Sequence, residues 1–110
     1  MKKTAAFLLV LLTGACASQV RISELLADPG HYDGKTVVTT GSVVRSVGVL
    51  NYATYEITDG SGNLTVVTTS GGAPRDNTRV EVKGTFHSAF RLGTRSLSVL
   101  EEKDRRPLGP

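Results

Sequence analysis

The 110-residue sequence has one cysteine, no tryptophan and only two histidines. Because Cys16 is alone, no disulfide can form within the chain, and a zinc site built on several cysteines is excluded. His31 and His87 lie far apart in dissimilar contexts, without the H-x-H or H-x-x-x-H spacing that favours a metal site. We therefore predict no metal site and no cofactor, and we place both histidines on the surface.

Residues that could form a catalytic group are also scarce. Glu56 and Asp59 flank a turn, and Glu101 and Glu102 are adjacent, so on a strand the side chains of that pair point to opposite faces. Asp59 directly precedes a glycine and is better explained as a turn residue. The segments "GSGN" and "SGG" lack the following lysine and the strand–loop–helix context of a phosphate-binding loop. We predict that the protein is not an enzyme and has no catalytic residues.

The sequence lacks a run of about 20 apolar residues, which a membrane-spanning helix requires. Its first apolar run, Ala5 to Leu12, contains eight residues, follows Lys2 and Lys3, and precedes small residues. This order of charged, apolar and small residues is typical of a secretory signal.

The segment "LTGAC", which ends at Cys16, resembles the lipobox of bacterial lipoprotein precursors. In that family the cysteine thiol receives a diacylglycerol, and a peptidase then cuts directly before it. The resemblance implies a signal peptide over residues 1–15, lipidation of Cys16, a tether over 16–21 and a lipid-anchored location in the cell envelope. In a cell with two membranes, it implies the periplasmic face of the outer membrane. The alternative is an ordinary secretory signal that is cut after Ala15 or Ala17.

Neither sign of charge is in clear excess once this signal is removed. The full chain carries 13 Lys and Arg against 10 Asp and Glu, and loss of Lys2 and Lys3 leaves 11 against 10. A dedicated nucleic-acid binder usually shows a strong basic excess. The C-terminal segment mixes both signs, and we predict a flexible, solvated tail over residues 102–110.

A short helix is predicted near the start of the mature chain, within "ISELLADPGHYDGK". Ser23 is a candidate N-cap for one or two helical turns. Pro29 and Gly30 then end the helix, because proline disfavours the helical conformation at the residue before it and glycine suits a turn.

Beyond Lys35 the chain is rich in valine and threonine, and apolar residues alternate with polar ones, which predicts strands. Gly41 in mid-strand predicts a bend or bulge, as a small barrel needs at a corner. Five strands with one apolar face each favour a small antiparallel barrel, which leaves few open edges. The strand segments are "KTVVTTGSVVRSVGV", the two arms of "LNYATYEITDGSGNLTVVTT", "TRVEVKGTFHSAF" and "SLSVLEE".

The segments "ISELLADPGHYDGKTVVTTGSVV", "YEITDGSGNLTVVT" and "RVEVKGTF" together resemble the OB-fold, the five-stranded oligonucleotide- and oligosaccharide-binding barrel. They are most similar to OB domains of the anticodon-binding type. In these, a hairpin with "DGSG" at its tip joins the second and third strands, and a V-x-V-x-G strand comes fourth. The resemblance implies an OB-fold domain over residues 22–101. The helix often found between strands three and four is replaced here by "SGGAPRDN".

OB barrels bind ligands across strands two and three and the loops beside them. Residues 51–69 contain no Lys or Arg, whereas a single-strand binder combines stacking aromatic rings with basic side chains. We therefore place other basic side chains elsewhere on the barrel, namely Arg45, Arg75, Arg79, Lys83, Arg91 and Arg95. The candidate ligand-binding residues are Tyr52, Thr54, Glu56, Thr65 and Val67.

The sequence favours a membrane-anchored OB-fold lipoprotein that acts as a non-catalytic binding or adaptor module for an envelope protein, peptide or glycan. The alternative is a barrel that binds single-stranded nucleic acid, and this alternative rests on the family resemblance.

Overall fold

The computed structural model describes residues 18–49, 52–69 and 72–109. The predicted signal peptide and the lipidation site Cys16 lie outside the described residues, so both remain predictions. The single predicted helix is divided in two, because Pro29 begins a second one. Five long strands follow, which confirms the all-β class. In chain order, the elements are β1 (Ser18–Gln19), α1 (Ile22–Ala27), α2 (Pro29–Tyr32), β2 (Thr36–Val49), β3 (Tyr52–Thr58), β4 (Asn63–Thr68), β5 (Arg79–Leu92) and β6 (Arg95–Pro107).

Strand β2 is shared between two parts of the barrel. Its residues 36–42 pair with β5 and its residues 42–49 pair with β3, antiparallel in both cases. Gly41 lies at this change of partner, where an added Cβ would be only 2.8 Å from the carbonyl oxygen of Thr58. Glycine permits this close approach. The irregularity in the register of β2 lies further along, between Val43 and Arg45, so the predicted bend or bulge at Gly41 stays a prediction.

The strands close into a ring in the order β2, β3, β4, β6, β5, and β5 pairs again with β2. The neighbours β4 and β6 run parallel, as do β1 and β2. The prediction of a purely antiparallel barrel is therefore wrong. The reason is geometric, because the directions of five strands in a closed ring cannot alternate throughout, and one neighbouring pair must be parallel.

The core fills the inside of the ring. The alternation predicted for β5 is confirmed, since Val80, Val82 and Phe86 are buried while Arg79 and Lys83 are exposed. Full burial of a large apolar side chain stabilises a protein by roughly 1.5–3 kcal/mol. The cluster of buried residues contains Val20, Ile22, Leu25, Val37, Val43, Tyr55, Ile57, Leu64, Val66, Val80, Val82, Phe86 and Leu100.

The C-terminal segment is part of the sheet. Strand β6 continues to Pro107, which pairs with Val80 at the start of β5. The prediction of a flexible tail over residues 102–110 is therefore wrong. The mixed charges that suggested a solvated tail belong to a strand that pairs with β5 along most of its length, and Arg106 donates from Nε to Glu81 Oε1 at 2.9 Å.

The N-terminal segment also joins the sheet. Residues 36–42 of β2 pair with β5 along one edge. Their other edge is not covered by β3, because β3 pairs with β2 only from Ser42 onward. Strand β1 pairs with Val37 and Val38 along that edge, and the following Val20 belongs to the core. The predicted tether over residues 16–21 is therefore wrong for its last residues, because an open strand edge and an apolar contact hold them.

Helix α1 is capped by a distant turn rather than by Ser23. The helix begins at Ile22 and has Arg21 as its N-cap, with no side-chain cap hydrogen bond from that residue. The Ile22 N–H donates to Asp59 Oδ2 at 3.0 Å, and the Ser23 N–H donates to Ser61 Oγ at 3.0 Å. The tip of the β3–β4 hairpin therefore satisfies two free donors of the first helical turn, and the prediction of Ser23 as N-cap is wrong.

Asp59 also shapes the hairpin tip, as the sequence predicts. Its Oδ1 accepts hydrogen bonds from the Ser61 N–H at 2.8 Å and the Ser61 hydroxyl at 2.6 Å. Partial burial acts to raise the pKa of the Asp59 carboxyl, but hydrogen bonds from Ser61, Ile22 and Gly62 outweigh it and lower the pKa below the ordinary value of 3.8. The ionised carboxylate is thus the form that the folded state favours.

We expect Asp59→Ala to lower the free energy of unfolding by about 1 kcal/mol at pH 7, a typical loss for a helix cap. Because the folded-state pKa is lowered, this stabilisation is complete above the ordinary pKa of 3.8. It is lost as the pH falls through the lowered folded-state pKa. Urea unfolding of both proteins between neutral and acidic pH measures the difference. The control is Asp76→Ala, which removes an exposed loop carboxylate and should show no comparable loss of stability at pH 7.

Candidate functional site

Three of the predicted ligand-binding residues, Thr54, Glu56 and Thr65, line a groove on the outer face of β2, β3 and β4. Along β3, Ala53, Tyr55 and Ile57 are buried, whereas Thr54 and Glu56 are half-buried and lie on the opposite face of the strand. The sequence prediction that Tyr55 points into the core is confirmed.

A β-bulge brings basic and apolar side chains of β2 onto the same face. The register shifts between Val43 and Arg45, after which Arg45 pairs with Glu56 and Val47 pairs with Thr54. Bulges redirect side chains in this way. The bulge places the Arg45 side chain beside Glu56 on the outer face of the barrel.

This face contains a groove with a volume of about 390 Å³. Thr54, Glu56 and Thr65 from the predicted set lie together in its wall, next to basic and apolar residues from neighbouring strands. We call this surface the Arg45 groove, which is lined by Arg45, Val47, Thr54, Tyr55, Glu56, Thr65, Arg95 and Leu97.

The other two predicted residues do not contribute to the described groove. Val67 is 3 % exposed, so its prediction as a ligand-binding residue is wrong. On β4 it pairs with Thr54 of β3 on one side and with Glu101 of β6 on the other. Tyr52 begins β3, and its side chain lies outside the described residues, so its role in binding remains a prediction.

The Arg45 groove has the basic side chains that the sequence analysis placed elsewhere. Arg45 Nη2 donates to Glu56 Oε1 at 3.0 Å, and the Arg45 side chain is 71 % exposed. Asn63 Nδ2 donates to Glu56 Oε2 at 3.3 Å and so holds the carboxylate in place. Arg95 is exposed and forms no ion pair with any side chain of the described residues.

Arg95 reaches the groove because β5 and β6 form a long hairpin. Leu92 pairs with Arg95 across the turn, where Gly93 has a φ of 66°, and Phe90 pairs with Leu97. This hairpin joins the fourth and fifth long strands, the position of one of the two loops that flank the binding face of an OB barrel. Because this hairpin is far from β2 in the sequence, the pattern along the chain did not reveal that Arg95 and Arg45 line the same groove.

The base of the hairpin is tied to the turn before β2. Asp33 Oδ1 accepts from the Ser88 N–H at 2.8 Å and from the Ser88 hydroxyl at 3.0 Å. The backbone hydrogen bond from Ser88 has the larger effect in lowering the pKa of the Asp33 carboxyl, and the hydrogen bond from the Ser88 hydroxyl lowers it further. The hairpin is therefore anchored where it leaves the barrel.

The two histidines lie apart and at least partly on the surface. His31 is exposed, and its ring meets Tyr32 edge-on with the ring centroids 4.8 Å apart. His87 Nε2 lies 2.8 Å from Glu101 Oε1, and the His87 side chain is 33 % exposed. Within residues 18–49, 52–69 and 72–109, no three His, Cys, Asp or Glu side chains come together in a metal-binding group.

Comparison with solved structures finds the same fold in several proteins. A protein of Leishmania major Friedlin described as an aspartyl-tRNA synthetase matches 84 % of this chain and 21 % of its own, with a TM-score of 0.66 and 16 % identity. The structure of a replication protein A heterotrimer bound to single-stranded DNA matches 70 % of this chain and 59 % of its own, with a TM-score of 0.56 and 22 % identity. The Stn1–Ten1 complex of S. pombe matches 72 % of this chain and 67 % of its own, with a TM-score of 0.56 and 19 % identity.

The chain therefore spans about a fifth of the length of the synthetase and somewhat more than half of the replication protein. No protein-family model matches the chain, and no curated protein matches it in sequence. At these identities the similarity is one of fold. The closed ring, the β3–β4 hairpin and the parallel β4–β6 pair agree with it, and the chain is an OB-fold barrel.

Proposed function

We propose that this barrel binds single-stranded nucleic acid in the Arg45 groove. The observation that carries the proposal is the convergence of Arg45 and Arg95 on the outer face of β2–β4, beside the β5–β6 hairpin. OB barrels bind oligonucleotides on this face. The replication protein A structure, whose fold is similar, has single-stranded DNA bound.

The lining of the groove suits a single strand. Guanidinium groups make strong, charge-assisted hydrogen bonds to phosphate, and the hydroxyls of Thr54 and Thr65 can donate to phosphate or sugar oxygens. Val47, which is 49 % exposed, offers an apolar surface to an unstacked base. The Glu56 carboxylate can accept hydrogen bonds from base amino groups.

We expect the double variant Arg45→Gln/Arg95→Gln to bind a fluorescently labelled oligothymidylate about tenfold more weakly than wild type, a loss of about 1.4 kcal/mol. For single strands, log affinity falls with log salt, and each lost phosphate contact makes this dependence less steep by about 0.7. The loss of two contacts should therefore make it less steep by about 1.4. Fluorescence anisotropy titrations at several salt concentrations measure both quantities.

The matched control is Lys35→Gln/Lys103→Gln, which removes the same amount of charge at two exposed residues that lie outside the Arg45 groove. Its affinity should stay within about twofold of wild type, since long-range effects between exposed charges are screened by salt. An absence of binding by wild type at low salt, or equal losses in the two double variants, would refute the proposal.

A second candidate function is supported by the N-terminal sequence, namely an envelope lipoprotein whose barrel contacts a protein, peptide or glycan. Cys16 at the end of the lipobox-like segment carries this proposal, and a lipid anchor there would restrict the ligands of the barrel to those outside the cytoplasm. No helix within the described residues is long and apolar enough to cross a membrane.

Mass spectrometry of the mature chain tests the anchor. We expect a diacylglyceryl group on Cys16 and, for Cys16→Ser, loss of the protein from the membrane fraction. A mature amino terminus without acyl groups would contradict the lipoprotein prediction and leave the nucleic-acid proposal unaffected.

A further inference from the structure

A second groove, with a volume of about 530 Å³, lies where β2 changes its pairing partner from β5 to β3. It is formed where the start of the described chain, the middle of β2 and the tip of the β3–β4 hairpin come together. We call it the Arg79 groove, and it is lined by Gln19, Val20, Arg21, Thr40, Gly41, Ser42, Thr58, Asp59, Gly60 and Arg79.

The two grooves lie on one continuous face. Glu56 lines the Arg45 groove and Thr58 lines the Arg79 groove, and these residues are two positions apart on β3. Residues two apart on a strand share a face and lie about 7 Å from each other. On the paired strand, Ser42 is opposite Thr58 and Arg45 is opposite Glu56. A strand of nucleic acid that leaves one groove along β2–β3 therefore enters the other.

The Arg79 groove carries two guanidinium groups without acidic partners. Arg21 and Arg79 are exposed, and neither forms an ion pair within the described residues. By contrast, Arg45, Arg105 and Arg106 are each paired with a carboxylate. The carboxylate in the lining, Asp59, already accepts hydrogen bonds from the hairpin tip and from helix α1. Both guanidinium groups are thus free to contact an anionic ligand.

The remaining lining indicates which part of a nucleic acid it would hold. Thr40 and Ser42 present hydroxyl groups, whereas the Thr58 hydroxyl donates to the Gly62 carbonyl oxygen at 3.1 Å. Among the described residues, the lining contains no aromatic side chain on which a base could stack. Hydroxyl and guanidinium groups bind phosphate and sugar oxygens without reading the base. The groove is therefore suited to the backbone of the strand.

We propose that the single strand extends from the Arg45 groove into the Arg79 groove, where Arg21 and Arg79 bind its phosphates and add affinity that depends on length. This inference rests on the proposed function. OB barrels cover about 4–16 nucleotides, so a short oligonucleotide should occupy the Arg45 groove alone. A longer one should occupy both.

The test compares oligothymidylates of about 4 and about 12 nucleotides, which bracket the lower part of the OB range. For Arg21→Gln/Arg79→Gln, we expect an affinity loss of about tenfold with the longer strand. With the shorter strand we expect a change of less than about twofold. For the longer strand alone, the dependence of log affinity on log salt should become less steep by about 1.4. Lys35→Gln/Lys103→Gln serves as the charge-matched control, and circular dichroism checks that each variant is folded.

The outcomes separate this inference from the function on which it rests. If wild type binds neither strand, the proposed function fails. If Arg45→Gln/Arg95→Gln weakens both strands while Arg21→Gln/Arg79→Gln weakens neither, only the extended path is refuted. Equal losses with both strands in the Arg21→Gln/Arg79→Gln variant would also refute it, because a general charge effect does not depend on length.

Discussion

The variant Gly84→Ala is expected to lose about 3–5 kcal/mol of unfolding free energy, at the upper end of the effects of single substitutions. An added Cβ at Gly84 would lie 2.2 Å from the carbonyl oxygen of Glu101 and 2.9 Å from its carbonyl carbon. Carbon atoms pack best at about 3.5–4.0 Å, and both atoms belong to the backbone of β6. Strands β5 and β6 would have to separate at the point where the barrel closes.

The local geometry explains why a Cβ is expected to fit poorly at this position. The register between β5 and β6 shifts next to Gly84, since Lys83 pairs with Asp104 while Gly84 pairs with Glu102. Lys103 is thus the extra residue of a bulge in β6. The bulge brings the backbone of β6 against the Gly84 Cα, and there is no flexible side chain that could move away.

Chemical denaturation of Gly84→Ala and of a control, Gly30→Ala, measures the effect. An added Cβ at Gly30 would meet nothing within 4 Å. Gly30 lies in the short helix α2, where alanine is favoured over glycine by up to about 1 kcal/mol. The control should therefore be as stable as wild type or slightly more stable. Equal stability of the two alanine variants would mean that β5 and β6 are not in close contact at Gly84.

The second large effect is expected for Glu102→Ala, which should lose about 3–5 kcal/mol because it leaves a partly buried arginine without its partner. The Glu102 side chain is 7 % exposed and that of Arg105 is 20 % exposed, with Arg105 Nη1 3.1 Å from Glu102 Oε1. The same carboxylate accepts hydrogen bonds from the hydroxyls of Tyr55 and Thr68. Its removal leaves three polar groups without this acceptor in a largely dry site.

The comparison with Glu81→Ala separates this effect from a general loss of charge. Glu81 is paired with Arg106, whose side chain is 67 % exposed. Exposed ion pairs contribute about 0–1 kcal/mol, so Glu81→Ala should lose little stability in denaturant unfolding. Similar losses in the two variants would show that Glu102 is not a buried partner.

Tyr55 provides a spectroscopic test of the same cluster. Burial of Tyr55 raises the pKa of its phenol, and the hydrogen bond to Glu102 raises it further, whereas Arg105 lowers it. Loss of Glu102 removes one of the raising causes and leaves Arg105, whose charge favours the phenolate. Absorbance titration should therefore show ionisation of Tyr55 at lower pH in Glu102→Ala than in wild type, and an unchanged titration would contradict the hydrogen bond.

Much of the fold could be predicted from short-range patterns. The alternation in β5, the turn at Asp59 and the described part of the "SGGAPRDN" loop, residues 72–77, all agree with the structure. Each depends on a residue and its immediate neighbours, because the period of a strand and the conformation of a turn are local properties.

The candidate site was only partly predictable. Thr54, Glu56 and Thr65 were found because they alternate with core residues on a recognisable hairpin. Arg45 was missed because a bulge shifts its register, and Arg95 was missed because it reaches the groove from a hairpin formed by later strands. Val67 was misplaced because alternation along a strand shows which side chains face away from the core but not which of these are covered.

The strands, the turns and the apolar face that becomes the core follow from side-chain periodicity and local backbone preferences, so the order of residues is enough to predict them. The neighbours of each strand, the parallel β4–β6 pair and the cap that Asp59 provides to helix α1 are set by the folded barrel. The same is true of the groove that Arg45 and Arg95 share. These features depend on contacts between residues far apart in the chain, whose geometry is set when the ring of strands closes.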